Sequence, residues 1–243
     1  MHAARQAAQK LAQLRADELA RVTHEVERLF HAVSHDLRAP LRSVVNLAEW
    51  AEEDLADGAV DEVKHHLGML RHRVLRLDTM LNDLLSFARV GRAEHPVEEV
   101  DVAALLSDLV GGMVTFPAGF QLAWGSMPVL VTQKTLLPQV LLNLIPNSLK
   151  HHDKPSGKID VRHELREGIH HFAVADDGPG IPEAYRERVF GMFATLKPRD
   201  QVEGSGMGLA FVHKLITSRG GTIRVLDTPG GGATFEFSWP LES

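Results

Sequence analysis

Between residues 63 and 88 the chain carries an apolar stripe that leaves little choice of fold. Val63, Leu67, Leu70, Val74, Leu77, Leu81, Leu84 and Ala88 recur at alternating steps of four and three, the spacing that keeps side chains along one seam of a helix. A helix with so long a stripe cannot shield it alone. Upstream, Leu11, Leu14, Leu19, Val22, Val26, Leu29 and Val33 mostly follow the same steps, and from Leu29 through Val33 and Leu37 to Leu41 the steps become fours, as stutters in a heptad do. Pro40 falls inside this run, where it removes a backbone hydrogen bond and predicts a bend. Asp57-Gly58 marks a turn between the two helical stretches. The simplest way to bury a helical hairpin of this kind is against a second copy, as a dimeric four-helix bundle.

The pattern changes after residues 91–96, a polar run from Gly91 to Pro96 that reads as a linker. Short β-like runs follow at 121–124, 129–132, 159–163, 171–175, 222–226 and 234–239, with helical stretches at 102–110, 136–151, 182–189 and 209–218. The chain is thus expected to be α+β, a helical hairpin followed by an α/β domain from residue 97 onward.

Composition excludes several functions. The net charge of -6 comes without a Lys/Arg stripe, which argues against a nucleic-acid partner. With no cysteine, disulfides, thiolate nucleophiles and Cys-based metal sites are ruled out, and a reducing, cytoplasmic setting is compatible. No apolar run approaches the ~20 residues of a membrane span. The chain opens within a helical pattern that has no start signal, as expected of a fragment of a longer protein.

Four short motifs carry chemistry. In Ser34-His35-Asp36-Leu37-Arg38-Ala39-Pro40, a carboxylate beside an imidazole can accept the Nδ1 hydrogen and leave Nε2 as a nucleophile. Asn143 and Asn147 stand four apart on a predicted helix and so share a face; their amide oxygens suit Mg²⁺, and Lys150 follows nearly one turn later. Asp176-Asp177-Gly178-Pro179-Gly180 ends a predicted strand, where a carboxylate can accept from the exocyclic amine of adenine and glycines admit a flat base. Gly204-Ser205-Gly206-Met207-Gly208-Leu209 opens a predicted helix, an arrangement that cradles phosphate in backbone N–H groups. Each motif also has a bland reading: a surface pair, a solvated polar face, an ordinary turn, a flexible loop. The pairs His65-His66, His151-His152 and His170-His171 read as structural, since adjacent residues do not share a face.

Taken in order, the set resembles the sensor histidine kinases. His35-Asp36-Leu-Arg-Ala-Pro resembles their H box, Asn143–Asn147 with Lys150 the N box, Asp176–Gly180 the first glycine box, Phe190-Gly-Met-Phe193 the F box, and Gly204–Gly208 the second glycine box. The wording around His35, His151-His152-Asp153 and Arg199-Asp200 is similar to cores attached to phytochrome-like and PAS-type sensors.

The resemblance implies a coiled-coil signalling helix over 1–28, a dimerisation and phosphotransfer hairpin over 29–90, a linker over 91–96, and a two-layer, Bergerat-type ATP-binding sandwich over 97–243. It implies an ATP-dependent protein-histidine kinase of a two-component system, with ATP and Mg²⁺ as cofactors, a homodimer as the assembly and a response-regulator receiver domain as partner. His35 would accept the phosphoryl group and Asp36 would orient it and take its proton. Asn147 would hold Mg²⁺ with Asn143 beside it, and Lys150 would meet phosphate. Asp176 would read the adenine amine, with Gly178 and Gly180 shaping the pocket. Gly204, Gly206 and Gly208 would line the phosphates, Leu209 would belong to the ATP-binding set, and residues 194–206 would form a short lid. Two departures stand out. Pro146 lies inside the N-box helix and is expected to alter the angle between Asn143 and Asn147. Ala39 replaces the Thr or Asn of phosphatase-competent relatives, which predicts weak phosphatase activity. The alternative is a degenerate scaffold of the same fold that does not turn over ATP.

Overall fold

The structure, a computed structural model, describes Gln13 and residues 37–90, 96–196 and 205–240. The expected signalling helix apart from Gln13, the His35-Asp36 pair, nearly all of the linker and the middle of the lid lie outside these residues. The chain divides into two compact units, Met1–Asp78 and Thr79–Ser243.

The first unit contains α1 (37–56) and the start of α2 (Val60–Arg89). The Asp57-Gly58 turn joins them as expected: the Ala59 amide donates to Asp54 O at 2.8 Å and the Asp57 amide to Glu53 O at 3.1 Å. Leu47 and Ala51 of α1 are buried, and His66 Nδ1 lies 2.8 Å from Asp54 Oδ2. The apolar stripe of α2 proves to be two faces. Val63, Leu70, Leu77 and Leu84 are partly buried, in one row with His66, Arg73, Met80 and Phe87. Leu67, Val74 and Leu81 stay 51, 46 and 46% exposed. A row repeating at three and four covers only one side of a helix, so the other members of the stripe are left outside it.

The second unit is built on a five-stranded mixed sheet. After β1 (Val97–Asp101) and α3 (Val102–Asp108) come β2 (Phe120–Trp124), β3 (Val129–Gln133), α4 (Leu136–Lys150), β4 (Gly157–Arg166), β5 (Ile169–Asp176), α5 (Gly208–Ser218), β6 (Ile223–Asp227) and β7 (Ala233–Trp239). The sheet order is β2-β4-β5-β7-β6, with β2 parallel to β4 and every other pair antiparallel; β1 and β3 form a separate antiparallel pair. Asp101 caps α3 by accepting from the amides of Ala103 and Ala104 at 2.9 and 3.1 Å. One sheet face supplies Ile159, Val161, Phe172, Val174, Val225, Phe235 and Phe237 to a core completed by Leu106, Leu137, Leu141, Leu144, Val212 and Ile216 of the helices. Each such side chain contributes about 1.5–3 kcal/mol by leaving water. Trp239, fully buried, donates its indole N–H to Thr132 Oγ1 at 3.0 Å. The other face carries an ionic ladder in which Arg166 and Arg224 both donate to Glu236, at 2.8 and 2.6 Å.

Two expectations need correction. β1 was not foreseen: Val97-Glu-Glu-Val-Asp101 buries only Val100, so it shows no strand alternation. The helix expected at 182–189 is instead two 3₁₀ turns, Glu183–Tyr185 and Arg188–Phe190. Only Val189 of this stretch is buried, too little apolar surface to reward a longer helix.

Candidate functional site

Three parts of the sandwich converge on a cleft of about 550 Å³, a volume that suits a nucleotide-sized ligand. α4 supplies one wall. Its apolar face, Leu137, Val140, Leu141, Leu144 and Ile145, goes to the core. The adjoining side, Leu142, Asn143, Pro146, Asn147 and Lys150, faces the cleft. Pro146 does not break the helix, which runs from Leu136 to Lys150; it only withholds the N–H that the Leu142 carbonyl would otherwise accept. Asn143 Nδ2 donates to Gln139 O at 2.8 Å. Its Oδ1 occupies the space that a side chain at residue 208 would fill, since a Cβ built on Gly208 would lie 2.7 Å from it.

The end of β5 supplies the second wall. Asp176 is 7% exposed, and its Oδ1 accepts two backbone amides, Gly178 N at 3.1 Å and Ala233 N at 3.0 Å. Charge-assisted bonds of this kind hold a carboxylate in one orientation. Asp176 lines the cleft, as do Gly180, Ile181 and Ala233. Gly178 does not: its amide orients Asp176 from behind. The close approach of Ala233 depends on Gly232, whose φ is +111° and whose backbone passes so near Asp176 O that a Cβ there would lie 1.9 Å from it. The sequence reading missed this glycine turn because residues 230–232, Gly-Gly-Gly, look like any loose hairpin.

The N-terminus of α5 supplies the third wall through Gly206, Gly208 and Leu209. Ser205 Oγ accepts from the Met207 amide at 3.1 Å and donates to Asp83 Oδ2 of α2. Asp83 and Thr79 also line the cleft, beside Ala194, Thr195 and Leu196; none of these five had been singled out for its side chain. Gly204 lies outside the described residues. Beneath the β5 end, Asp177 Oδ1 accepts from the Lys158 amide at 2.7 Å and pairs with His152 Nε2 at 3.0 Å. Burial pushes the Asp177 carboxyl up, but the Lys158 amide and His152 outweigh it and hold the group below its ordinary value.

The donor set fits a magnesium nucleotide. A fixed carboxylate beside an apolar wall suits an aminated base, amide oxygens of α4 suit a hard cation, and a helix N-terminus with glycines suits phosphates. Among the described residues no cluster of three His, Asp or Glu could hold a metal on its own, so the cation's remaining ligands would come from phosphate and water. No described helix is long and apolar enough to cross a membrane.

Comparisons with known proteins agree with this geometry. Residues 25–93 match the His Kinase A (phospho-acceptor) domain, and residues 132–243 match the histidine kinase-, DNA gyrase B- and HSP90-like ATPase family. The phytochrome-like protein Cph1 of Synechocystis is 32% identical over 236 residues, covering 96% of this chain and 31% of that protein. The methanogenesis regulatory histidine kinase FilI of Methanothrix harundinacea is 35% identical over 235 residues, covering 94% of this chain and 26% of that protein. The chain therefore spans about a third or less of these relatives. The full-length structure of ShkA in complex with AMPPNP is similar with a TM-score of 0.57 and 28% identity, over 89% of this chain and 46% of that one. Hairpin, sandwich, cleft and matches together place the chain in the sensor histidine kinases, of which it carries the catalytic core: a phospho-acceptor domain followed by an ATP-binding domain.

Proposed function

We propose that the chain uses Mg-ATP to phosphorylate His35 and then passes the phosphoryl group to an aspartate on a response-regulator receiver domain. The observation that carries this reading is the convergence on one cleft of Asp176, the Asn143/Asn147 face of α4 and the glycine-lined start of α5. Asp176 offers its carboxylate to the adenine amine. Asn147, with Asn143 beside it, presents amide oxygen to Mg²⁺, which when bound neutralises phosphate charge. Lys150 and the amides at Gly206 and Gly208 meet the phosphates. His35 Nε2 forms the new N–P bond as the bond from the γ-phosphorus to the ADP oxygen breaks, and Asp36 takes the Nδ1 proton. Such transfer is mostly positioning and charge stabilisation. The working unit is a homodimer that covers the exposed row Leu67, Val74 and Leu81. Against a degenerate scaffold speak the continuous α4, the retained Asp176 and the retained glycine loop.

The test is incubation of the purified chain with γ-labelled ATP and Mg²⁺, beside His35→Gln and Asn147→Ala. The expected result is label on the wild type that is stable to alkali and lost in acid, and that is absent from both variants. A folded wild type that binds ATP but takes no label would overturn the kinase reading.

A further inference from the structure

On the reading of the cleft as an adenine-nucleotide site, we propose that His152 and Asp177 form a positioning pair that sets the orientation of Asp176, and thereby the preference for adenine over other bases. Neither residue lines the cleft. The His152 side chain is only 1% exposed, and it lies two residues beyond the end of α4. Its Nδ1 accepts the Lys154 amide at 3.1 Å. A neutral imidazole that accepts at Nδ1 carries its hydrogen on Nε2, so Nε2 is the donor to Asp177 Oδ1 at 3.0 Å. The same Oδ1 accepts the Lys158 amide, and the Asp177 carbonyl accepts from Lys154 Nζ at 3.1 Å. The end of α4, the start of β4 and the end of β5 are thus tied at one carboxylate.

The ring also bears on the group that orients the reader. A Cβ built on Gly178 would lie 3.2 Å from His152 Cδ2 and 3.1 Å from Asp176 Oδ1, so the imidazole backs the glycine whose amide donates to Asp176. Phe120 holds the ring from the far side, edge on, with centroids 5.0 Å apart. Gly157 leaves the space for the pair: a Cβ there would meet His152 Nε2 at 2.5 Å and Asp177 Oδ1 at 2.8 Å. Without the pair, residues 177 and 178 lose their tie to the buried His152 ring, and the Gly178 amide, one of the two donors that aim Asp176, is free to shift while the Ala233 amide remains. That direction separates adenine, whose exocyclic amine donates, from guanine, whose O6 would face the carboxylate with a second acceptor.

The test is a titration of the full chain with ATP and with GTP, in the wild type, His152→Asn, His152→Gln and Asp177→Ser, each below its melting temperature. Asn can still accept from Lys154 but cannot reach Asp177, whereas Gln can still donate to it. The expected result is that His152→Asn and Asp177→Ser weaken ATP by about ten- to a hundredfold, the scale of losing one hydrogen bond to a charged acceptor, and leave GTP unchanged. His152→Gln keeps the wild-type ratio. Packing damage alone would weaken both nucleotides together, and that outcome overturns the proposal, as does a wild-type ratio in His152→Asn. If His152→Asn does not fold, Asp177→Ser decides. A wild type that binds no ATP overturns the reading of the cleft itself, and the proposal with it.

Discussion

Gly232→Ala tests the proposed adenine-reading wall at its tightest point. A Cβ at residue 232 would lie 1.9 Å from Asp176 O, 2.7 Å from Asp176 C and 3.0 Å from Asp177 Cα, with φ at +111°. Real contacts rarely close below 3.0 Å, so the two backbones must part by about 1 Å in a close-packed region. Gly231 supplies an internal control, because its φ is +113° and a Cβ there meets nothing within 4 Å. Alanine at either position carries backbone strain of about 1–3 kcal/mol. Alanine at 232 also pulls the Ala233 amide from Asp176, at a further cost of about 1.5–3 kcal/mol for a bond to a charged acceptor. Gly231→Ala should lower stability by the first amount and leave ATP affinity unchanged. Gly232→Ala should lose the sum and weaken ATP by about ten- to a hundredfold, the affinity equivalent of one hydrogen bond to a charged acceptor at about 1.5–3 kcal/mol. Urea unfolding and calorimetric titration measure the two quantities separately. A Gly232→Ala protein that binds ATP within twofold of Gly231→Ala would refute the assignment of Asp176 as the reader held by Ala233.

Two further outcomes follow from the structure. His163 and His170, stacked with a 2.8 Å bond between Nε2 and Nδ1, both titrate below the ordinary histidine value. Burial lowers both, and His170 lowers His163 further against the opposing pull of Glu164. The unfolded chain therefore takes up protons first, and stability present above about pH 6.5 is lost as pH falls through that value; urea midpoints between pH 7.5 and 5.5 should fall less in His163→Phe. In the hairpin, Leu67→Glu with Val74→Glu should convert a dimer to a monomer by light scattering while leaving helical circular dichroism intact, since both side chains are exposed within one chain. A dimer surviving both charges would place the interface elsewhere.

Much of this was legible from spacing. The stripe from Val63 to Ala88 gave α2, and six β-like runs gave β2 to β7 to within a few residues, because the core strands alternate and α4 and α5 keep a strong helical period. The single stripe on α2 hid two faces, since sequence spacing alone does not say which members the hairpin's inner side takes. The motifs around Asn143, Asp176 and Gly206 line one cleft, yet the residues that hold them did not announce themselves. Ala233 and Gly232 act through backbone atoms, which have no sequence signature. His152 read as one of several histidine pairs because its partner, Asp177, lies 25 residues away. Pro146 seemed disruptive by rule, but α4 runs through it from Leu136 to Lys150.

The order of the sheet also bears on when the protein becomes competent. β7 is the last strand in the described sequence, yet it lies between β5 and β6 and is buried along its whole length. Until it is inserted, β5 has an open edge and Phe172 and Val174 have lost one neighbour. A chain still being made, or cut before residue 233, has no Ala233 amide to fix Asp176. The aimed carboxylate therefore waits on residue 233, and a copy cut before that point should bind ATP weakly however well its other walls form.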